Sequence, residues 1–378
     1  MTMFSGATND NLVKTAFIVA ITALSWDVFT LNPVVLANIA ALCFILPFIV
    51  LAGFAAHQAN VQAPKRWLMI LKTIELVLAL ISAIAIYFEL GWLLLLCIAG
   101  FGVQSALIGP LKYALIPQLT EPADLLNNNA WMESATFVAI LIGTLIASDW
   151  ILHSTNHLIT LILLMACTGL IGVFFLPHFD GRADHNQRSI QYLVHQQRQD
   201  RQSMSAIWCI SGFWGVGSVW LTHLPMLAVD TWQLSPQSIG TLLSYFVLGV
   251  TLGACLGVLL KERHLTTRVI AGASTMVFGT LILQVSDFQT ATIGLVLTSA
   301  GGGFLVLPLY TLLQDDTAVV ANRIAVNNIA NAMMIVATAV ISLLVVGLLK
   351  LDLLLWLLVL SLSQLFLCLY HRSNLSLS

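Results

Sequence analysis

Long apolar stretches separated by short polar segments repeat along the whole chain, and each stretch is long enough to cross a bilayer as a helix. A helical span needs about 20 mostly apolar residues, whereas membrane strands alternate in polarity over about ten residues, a pattern that this chain lacks. The pattern predicts twelve transmembrane helices. Their approximate spans are 4–30, 33–56, 67–88, 91–114, 125–149, 157–177, 204–228, 236–260, 267–286, 289–313, 318–348 and 351–371.

One hydrophilic segment, 178–203, divides six predicted helices from six. Its Arg, Gln and His content predicts a solvated linker, with a surface helix around 189–199 beside the lipid headgroups. We therefore predict a helical bundle at 1–177, the linker at 178–203 and a second bundle at 204–378. Lys and Arg fall almost entirely on one side of this threading, so both termini and the linker are expected in the cytoplasm.

Composition agrees with a membrane chain. Hydrophobic residues make up 59% of the sequence and charged residues 8%, whereas soluble domains carry roughly a quarter charged residues. The six cysteines are scattered singly without a CxxC pair, which indicates small packing residues. The sequence therefore predicts an integral membrane protein without a disulfide, a metal site, a cofactor or a nucleic-acid partner.

Three positions of the first half recur in the second half at a constant offset of 198 residues, close to half of the 378-residue chain. The two sets are Pro110, Asn129 and Glu133, and Pro308, Asn327 and Asn331. The offset indicates two homologous halves, and polar residues kept inside spans at duplicated positions are pointers to function. Only one of the six residues is charged, so the predicted site is asymmetric.

Two charged pairs lie at helical spacing inside the predicted spans. Asp10 and Lys14 are four residues apart on one face, which fits either a self-neutralising pair or a cavity or gating residue at Asp10. Lys72 and Glu75, three residues apart, are expected to form a structural ion pair, because an unpaired charge at that depth costs a few kcal/mol.

Two more charged residues, Lys112 and Glu133, stand near or inside the predicted spans. Lys112 follows the helix-loosening Pro110, where it could extend to the headgroups or attract a phosphate as a point charge. Glu133 shares a helix face with Asn129 and is interpreted either as a buried packing residue or as a group that accepts a proton during transport.

Glycines recur at four-residue spacing in the eighth predicted span, at Gly249, Gly253 and Gly257. Small residues at this spacing let two membrane helices approach closely, so this face is predicted to pack on a neighbouring helix.

Several short motifs, in this order and spacing, resemble the bacterial lysophospholipid transporter family, a branch of the major facilitator superfamily. They are Asn9-Asp10-Asn11, Gly109-Pro110-Leu111-Lys112-Tyr113, Asn129-Ala130-Trp131-Met132-Glu133-Ser134, Phe213-Trp214-Gly215, Gly302-Gly303-Phe304-Leu305-Val306-Leu307-Pro308-Leu309 and Asn327-Asn328-Ile329-Ala330-Asn331. The resemblance extends over nearly the whole chain. It implies an all-α fold of two pseudo-symmetric six-helix bundles that rock about a site near the bilayer midplane.

The resemblance also implies a monomeric flippase of the bacterial inner membrane. Such a carrier moves lysophosphatidylethanolamine and related lysolipids to the cytoplasmic face, where an acyltransferase/acyl-carrier-protein synthetase re-acylates them. By resemblance, Asp10, Asn11, Lys112 and Glu133 match the polar cavity and gating positions of the family. The internal repeat adds three asparagines to the candidate substrate-binding or gating set, namely Asn129, Asn327 and Asn331.

Two other functions compete with the lipid hypothesis. One is a related exporter of amphipathic drugs or metabolites, which would use the same scaffold. The other is an intramembrane enzyme, which should show His clustered with Asp or Glu on neighbouring spans. The nine histidines fall mostly in loops or at helix ends, so we expect a transporter with no catalytic residues.

Overall fold

The computed structural model describes residues 1–26, 28–31, 33–178, 190–234, 238–284 and 288–376. These residues form helices and connecting loops, without a strand among them. The helices are α1 Thr2–Thr22, α2 Pro33–Val50, α3 Ala52–Val61, α4 Pro64–Tyr87, α5 Gly91–Leu119, α6 Leu125–His153, α7 Thr155–Phe174, α8 Ile190–Gln199, α9 Arg201–Met226, α10 Ser238–Leu259, α11 Leu265–Gln284, α12 Phe288–Leu313, α13 Val320–Ser342 and α14 Leu353–Leu375.

The helices agree with the predicted order of spans. In the described part of the chain, ten helices are long and apolar enough to cross a membrane, and α2 with α3 adds an eleventh as one bent span. Helix α1 is the remaining member of the predicted twelve. It is 21 residues long, but Asn9, Asp10, Asn11 and Lys14 lower its mean hydropathy.

The second predicted span is bent, which the apolar pattern did not indicate. Its two helices meet at an angle of 56°, close to Leu51. Pro47 lies just before the break and cannot donate the hydrogen bond that would continue the helix, so the bend has a local cause.

A short helix lies within the hydrophilic segment, as predicted for 189–199. It is α8, whose polar residues surround the buried Leu193. The predicted linker residues 179–189 lie outside the described residues.

Internal packing divides the chain into two compact units. The first comprises Met1–Leu115 and Ala135–Ile190, and the second comprises Ile116–Ser134 and Gln191–Ser378. The end of α5 and the beginning of α6 therefore pack with the second unit, although both helices belong to the predicted first bundle. The division into bundles at 1–177 and 204–378 stays a prediction.

The first unit has a continuous apolar core formed by α1, α2, α4, α5, α6 and α7. Phe17, Ile98, Phe101 and Ile162 lie at its centre and are almost completely buried. Because this core covers one face of α1, it fixes the rotation of that helix and hence the direction of its polar side chains.

The second unit is held together by close helix approaches at glycines, as predicted for α10. A Cβ atom at Gly249 would lie 2.5 Å from the Val296 carbonyl oxygen, and one at Gly253 would collide with the Ala300 backbone. The glycines thus allow α10 to touch the main chain of α12, the membrane packing mode that small residues permit.

Candidate functional site

A chain of polar side chains crosses the first unit between α4 and α5. Lys72 Nζ lies 2.6 Å from Glu75 Oε2, and Gln104 Nε2 donates to the same oxygen at 2.7 Å. All three side chains are at most 2% exposed. A Cβ atom at Gly6 would lie 2.6 Å from Lys72 Nζ, so the glycine on α1 makes room for the ammonium group.

Asp10 on α1 joins this chain through Ser105 on α5. The Ser105 hydroxyl donates to Asp10 Oδ2 at 2.6 Å and lies 3.4 Å from Gln104 Oε1. Asp10 is 8% exposed. Lys14, the sequence neighbour that could neutralise Asp10, has its ammonium group 4.1 Å from the centroid of the Phe44 ring, a cation–π contact.

Two more predicted site residues lie in the first unit. The Asn11 side chain donates to the Ala7 carbonyl at 2.7 Å, and its Cβ lies close to Gly143 of α6. Lys112 is partly buried, with Nζ 4.7 Å from the centroid of the Tyr113 ring. Asn11 therefore serves helix packing through its backbone bond, whereas Lys112 keeps a cation at a partly accessible position.

Asn129, at the beginning of α6, is bonded to α12 within the second unit. Its amide nitrogen donates to Thr311 Oγ1 at 3.2 Å, and its amide oxygen accepts from Gln314 Nε2 at 3.1 Å. Asn129 and Gln314 are each 1% exposed. Leu126 and Ala130 of α6 pack beside them on Ala254 and Leu307, so the contact has an apolar part as well as a polar part. The partly buried Val258 also packs against this apolar cluster.

The remaining predicted residues of the second unit differ in their surroundings. Glu133 is 3% exposed. Asn331 accepts a hydrogen bond from the Ser211 hydroxyl of α9 at 2.8 Å. Asn327 is fully buried, and neither atom of its amide has a hydrogen-bond partner in the described part of the chain. The repeat partners Asn129 and Asn327 are thus unlike: one is bonded on both amide atoms, and the other has no protein partner there.

An ionic cluster joins three helix ends of the second unit. Arg323 near the start of α13 binds Asp200, which precedes α9, at 3.0 Å, and also binds Asp315, which follows α12. Partial burial acts to raise the pKa of Asp200, but hydrogen bonds from Ser203 and the Arg323 charge outweigh it and lower that pKa below 3.8. The cluster ties neighbouring helix ends together.

The structure brings together Asp10, Lys72 and Glu75 and gives Asn129 two partners, one on α12 and one directly after it. Sequence reasoning missed the residues that make these connections, which are Gln104, Ser105, Thr311 and Gln314. Gln104 carried a usable signal, because it is an amide inside an apolar span. Thr311 and Gln314 lie more than 180 residues from Asn129, so no local pattern links them.

The described residues form a bundle of long apolar helices with isolated polar groups inside them, which is the architecture of a multi-pass membrane protein. The Major Facilitator Superfamily model matches residues 2–339. The chain belongs to this superfamily.

The chain is also similar in sequence to named transporters and in fold to solved structures. The chain is similar to proteins named lysophospholipid transporter LplT from Yersinia pestis (strain Pestoides F) and Yersinia pseudotuberculosis serotype O:3 (strain YPIII). Each is 29% identical over 314 residues, which is 77% of this chain and 73% of the relative. Its fold is similar to the E. coli fucose:proton symporter FucP, with a TM-score of 0.76, 10% identity and coverage of 99% and 97%. The human organic anion transporter MFSD10 gives a TM-score of 0.72 at 14% identity, with coverage of 99% and 98%.

Proposed function

We propose that the protein moves lysophospholipids, with lysophosphatidylethanolamine as the representative substrate, across the bacterial inner membrane to its cytoplasmic face by alternating access. The observation that carries this proposal is the similarity to the two Yersinia lysophospholipid transporters over 77% of the chain. The lipid that arrives is the substrate of a cytoplasmic acyltransferase/acyl-carrier-protein synthetase, which restores the second acyl chain. The carrier works as a monomer with both termini in the cytoplasm.

The distribution of polar groups supports a substrate with one small charged head and one apolar tail. A lysolipid carrier needs a mostly apolar path with a few polar groups that fix the head. Lys112 supplies a cation for the lipid phosphate, and its partial burial strengthens that attraction relative to an exposed lysine. Glu133 supplies an acidic group for the ammonium of an ethanolamine head.

The two repeat partners take different roles in this proposal. Asn129 is a gating residue, because Thr311 of α12 and Gln314, directly after that helix, bind its two amide atoms and these contacts must break when α6 moves. Asn327 is a headgroup ligand, because its buried amide lacks a protein partner in the described residues and a polar substrate group would satisfy it. Asn331, which Ser211 binds, orients this end of the site.

Uptake of labelled lysophosphatidylethanolamine by spheroplasts of a host that lacks its own lysophospholipid carrier tests the proposal. We expect uptake only when the protein is present, and no uptake of diacyl phosphatidylethanolamine. Glu133→Gln and Lys112→Met should each reduce the initial rate roughly tenfold, since tenfold corresponds to about 1.4 kcal/mol of lost interaction.

Two matched controls separate the site from general charge effects. Glu121→Gln and Lys261→Met remove the same charges at exposed positions and should leave the rate unchanged. Absence of lysolipid uptake by the wild-type protein would refute the lipid substrate, whereas full activity of folded Glu133→Gln and Lys112→Met would refute the assigned site. Uptake or export of an amphipathic drug instead of the lysolipid would favour the competing exporter function.

A further inference from the structure

Asn327 is a buried side chain whose hydrogen-bonding capacity the protein leaves unused. It lies on α13 with 0% exposure, and neither its amide oxygen nor its amide nitrogen has a partner in the described part of the chain. Its repeat partner, Asn129, uses both amide atoms within the protein, on Thr311 and Gln314. A buried polar group without a partner is costly, so a group from outside the chain is expected to supply the missing hydrogen bonds.

The next turn of α13 connects this buried amide to a more accessible one. Asn331 lies four residues beyond Asn327 and therefore on the same face of the helix. It is partly exposed, and its amide oxygen accepts the 2.8 Å hydrogen bond from Ser211 of α9. Its amide nitrogen donates to no residue in the described part of the chain. The two asparagines therefore form a polar face of α13 within the second unit, with two amide donors and one amide acceptor that no described residue engages.

A second buried asparagine, Asn9 on α1, has different surroundings. It is also 0% exposed, and both of its amide atoms lack a partner among the described residues. Its neighbours one turn away on either side, Ser5 and Val13, are 1% and 0% exposed, so this face of α1 is closed. Asn327 has the partly exposed Asn331 one turn away instead. Of the two asparagines, Asn327 is therefore the one that a substrate group can approach along its own helix face.

The unused atoms of Asn327 define the kind of group that fits. Its amide offers one acceptor, Oδ1, and one donor, Nδ2. A phosphodiester or an ester carbonyl only accepts hydrogen bonds, and an ammonium group only donates them, so each would satisfy one of the two atoms. A hydroxyl group both donates and accepts, so it satisfies both atoms from one position. In lysophosphatidylethanolamine, the group with this property is the hydroxyl on the glycerol carbon that lacks an acyl chain.

We propose that Asn327 recognises the free glycerol hydroxyl of the lysolipid and is the residue by which the carrier distinguishes lysophospholipids from diacyl phospholipids. This inference rests on the proposed transport function. The hydroxyl donates to Asn327 Oδ1 and accepts from Asn327 Nδ2, and Asn331 Nδ2 donates to the ester carbonyl of the acyl chain. In a diacyl lipid the same glycerol oxygen carries a second acyl group. That oxygen then has no hydrogen to donate, and Asn327 Oδ1 stays unpaired.

The proposal predicts a particular kind of selectivity. A site that hydrogen-bonds a substrate hydroxyl discriminates strongly against an analogue without it, because the polar groups of the site are then buried and unpaired. An apolar pocket of the same shape discriminates weakly between the two. The wild-type protein should therefore select the hydroxyl, and Asn327→Leu, which replaces the amide by an apolar group of similar size, should lose this selectivity.

Initial transport rates in proteoliposomes measure that selectivity. The two probes are lysophosphatidylethanolamine and an analogue in which hydrogen replaces the free glycerol hydroxyl. The wild type should move the lysolipid at least about tenfold faster than the deoxy analogue. In Asn327→Leu the ratio of the two rates should fall to near one, because the lysolipid slows more than the analogue. Asn9→Leu, which removes an equally buried and unpartnered amide from the first unit, should keep the wild-type ratio.

The melting temperature in detergent separates recognition from a structural role. Asn327→Leu removes a buried amide that has no protein partner among the described residues, so the ligand-free variant should melt at or above the wild-type temperature. Lysophosphatidylethanolamine should raise the melting temperature of the wild type more than the deoxy analogue does, because it binds the folded protein more tightly. The two probes should raise that of Asn327→Leu equally. Asn327→Ala provides the same test without added side-chain volume.

Three results would overturn the inference, and they distinguish it from the proposed function. Equal wild-type rates for the two probes would refute recognition of the hydroxyl while lysolipid transport stands. A wild-type rate ratio in folded Asn327→Leu and Asn327→Ala would show that the amide binds internal water or serves packing only. A wild-type protein that neither moves nor binds either probe would refute the proposed function together with this inference.

Discussion

Two charge networks among the described residues contain similar groups, but one network is buried and the other is partly exposed. In the first unit, Lys72, Glu75 and Asp10 are between 0% and 8% exposed. In the second unit, the side chains of Arg323, Asp200 and Asp315 are 13%, 36% and 54% exposed. Burial of a charge carries a large desolvation penalty, whereas an exposed ion pair contributes about 0–1 kcal/mol to folding stability. The comparison separates a buried network in the first unit from a partly exposed network in the second, which ties helix ends together.

Removal of one partner of the buried ion pair should cause the largest loss of stability. Glu75→Ala leaves the Lys72 ammonium buried without its carboxylate and should lower the free energy of unfolding by about 3–5 kcal/mol. We expect little folded protein by size-exclusion chromatography and a strongly reduced melting temperature. Replacing both residues by Met should recover most of the stability, because the double variant leaves no unpaired charge. Equal losses in the single and double variants would contradict this account.

Removal of the Asn129 amide should have the next largest effect. Asn129→Ala leaves the buried Gln314 amide without one of its partners, which costs about 1–3 kcal/mol. Thermal unfolding should show this loss, and the initial uptake rate should change because the contact between α6 and α12 is weakened. Asn127→Ala, on the exposed side of the same helical turn, is the matched control. A neutral Asn129→Ala variant would exclude the gating role.

The exposed network should respond more weakly and with a defined pH dependence. Arg323→Gln should cost about 0.5 kcal/mol, a value that allows for solvent screening at Asp200. Because Arg323 contributes to the lowered pKa of Asp200, its stabilisation is present above the ordinary pKa of 3.8 and is lost as the pH falls through the folded-state value. The difference in melting temperature between wild type and Arg323→Gln should therefore shrink below about pH 4. A difference that grows in acid would contradict this assignment.

Asp315→Asn should give the smallest effect of the set. The Asp315 side chain is more than half exposed, so solvent screens its contact with Arg323. We expect a melting temperature within experimental scatter of the wild type and an unchanged uptake rate. A loss comparable to that of Glu75→Ala would show that exposure does not distinguish the two networks.

Much of the fold could be predicted from the sequence, because hydrophobic length and polar interruptions are local properties. The apolar spans and the helix at 190–199 were of this kind. The unpredicted features depend on tertiary packing. Arg323 and Asp200 are 123 residues apart, and Ser105 meets Asp10 across 95 residues. The repeat indicated that Asn129 and Asn327 were equivalent, but their different neighbours gave one two hydrogen-bond partners and left the other without one in the described residues.

The central contrast is tested most directly by a paired measurement of lysophosphatidylethanolamine uptake per folded protein and of melting temperature in Ser105→Ala and Arg323→Gln. The account predicts that Ser105→Ala slows uptake per folded protein and lowers the melting temperature more than Arg323→Gln does, because it leaves the buried Asp10 carboxylate without its hydrogen-bond donor. It predicts that Arg323→Gln lowers the melting temperature slightly while uptake per folded protein is unchanged. The reverse result, slow uptake in Arg323→Gln and normal uptake in Ser105→Ala, would contradict it.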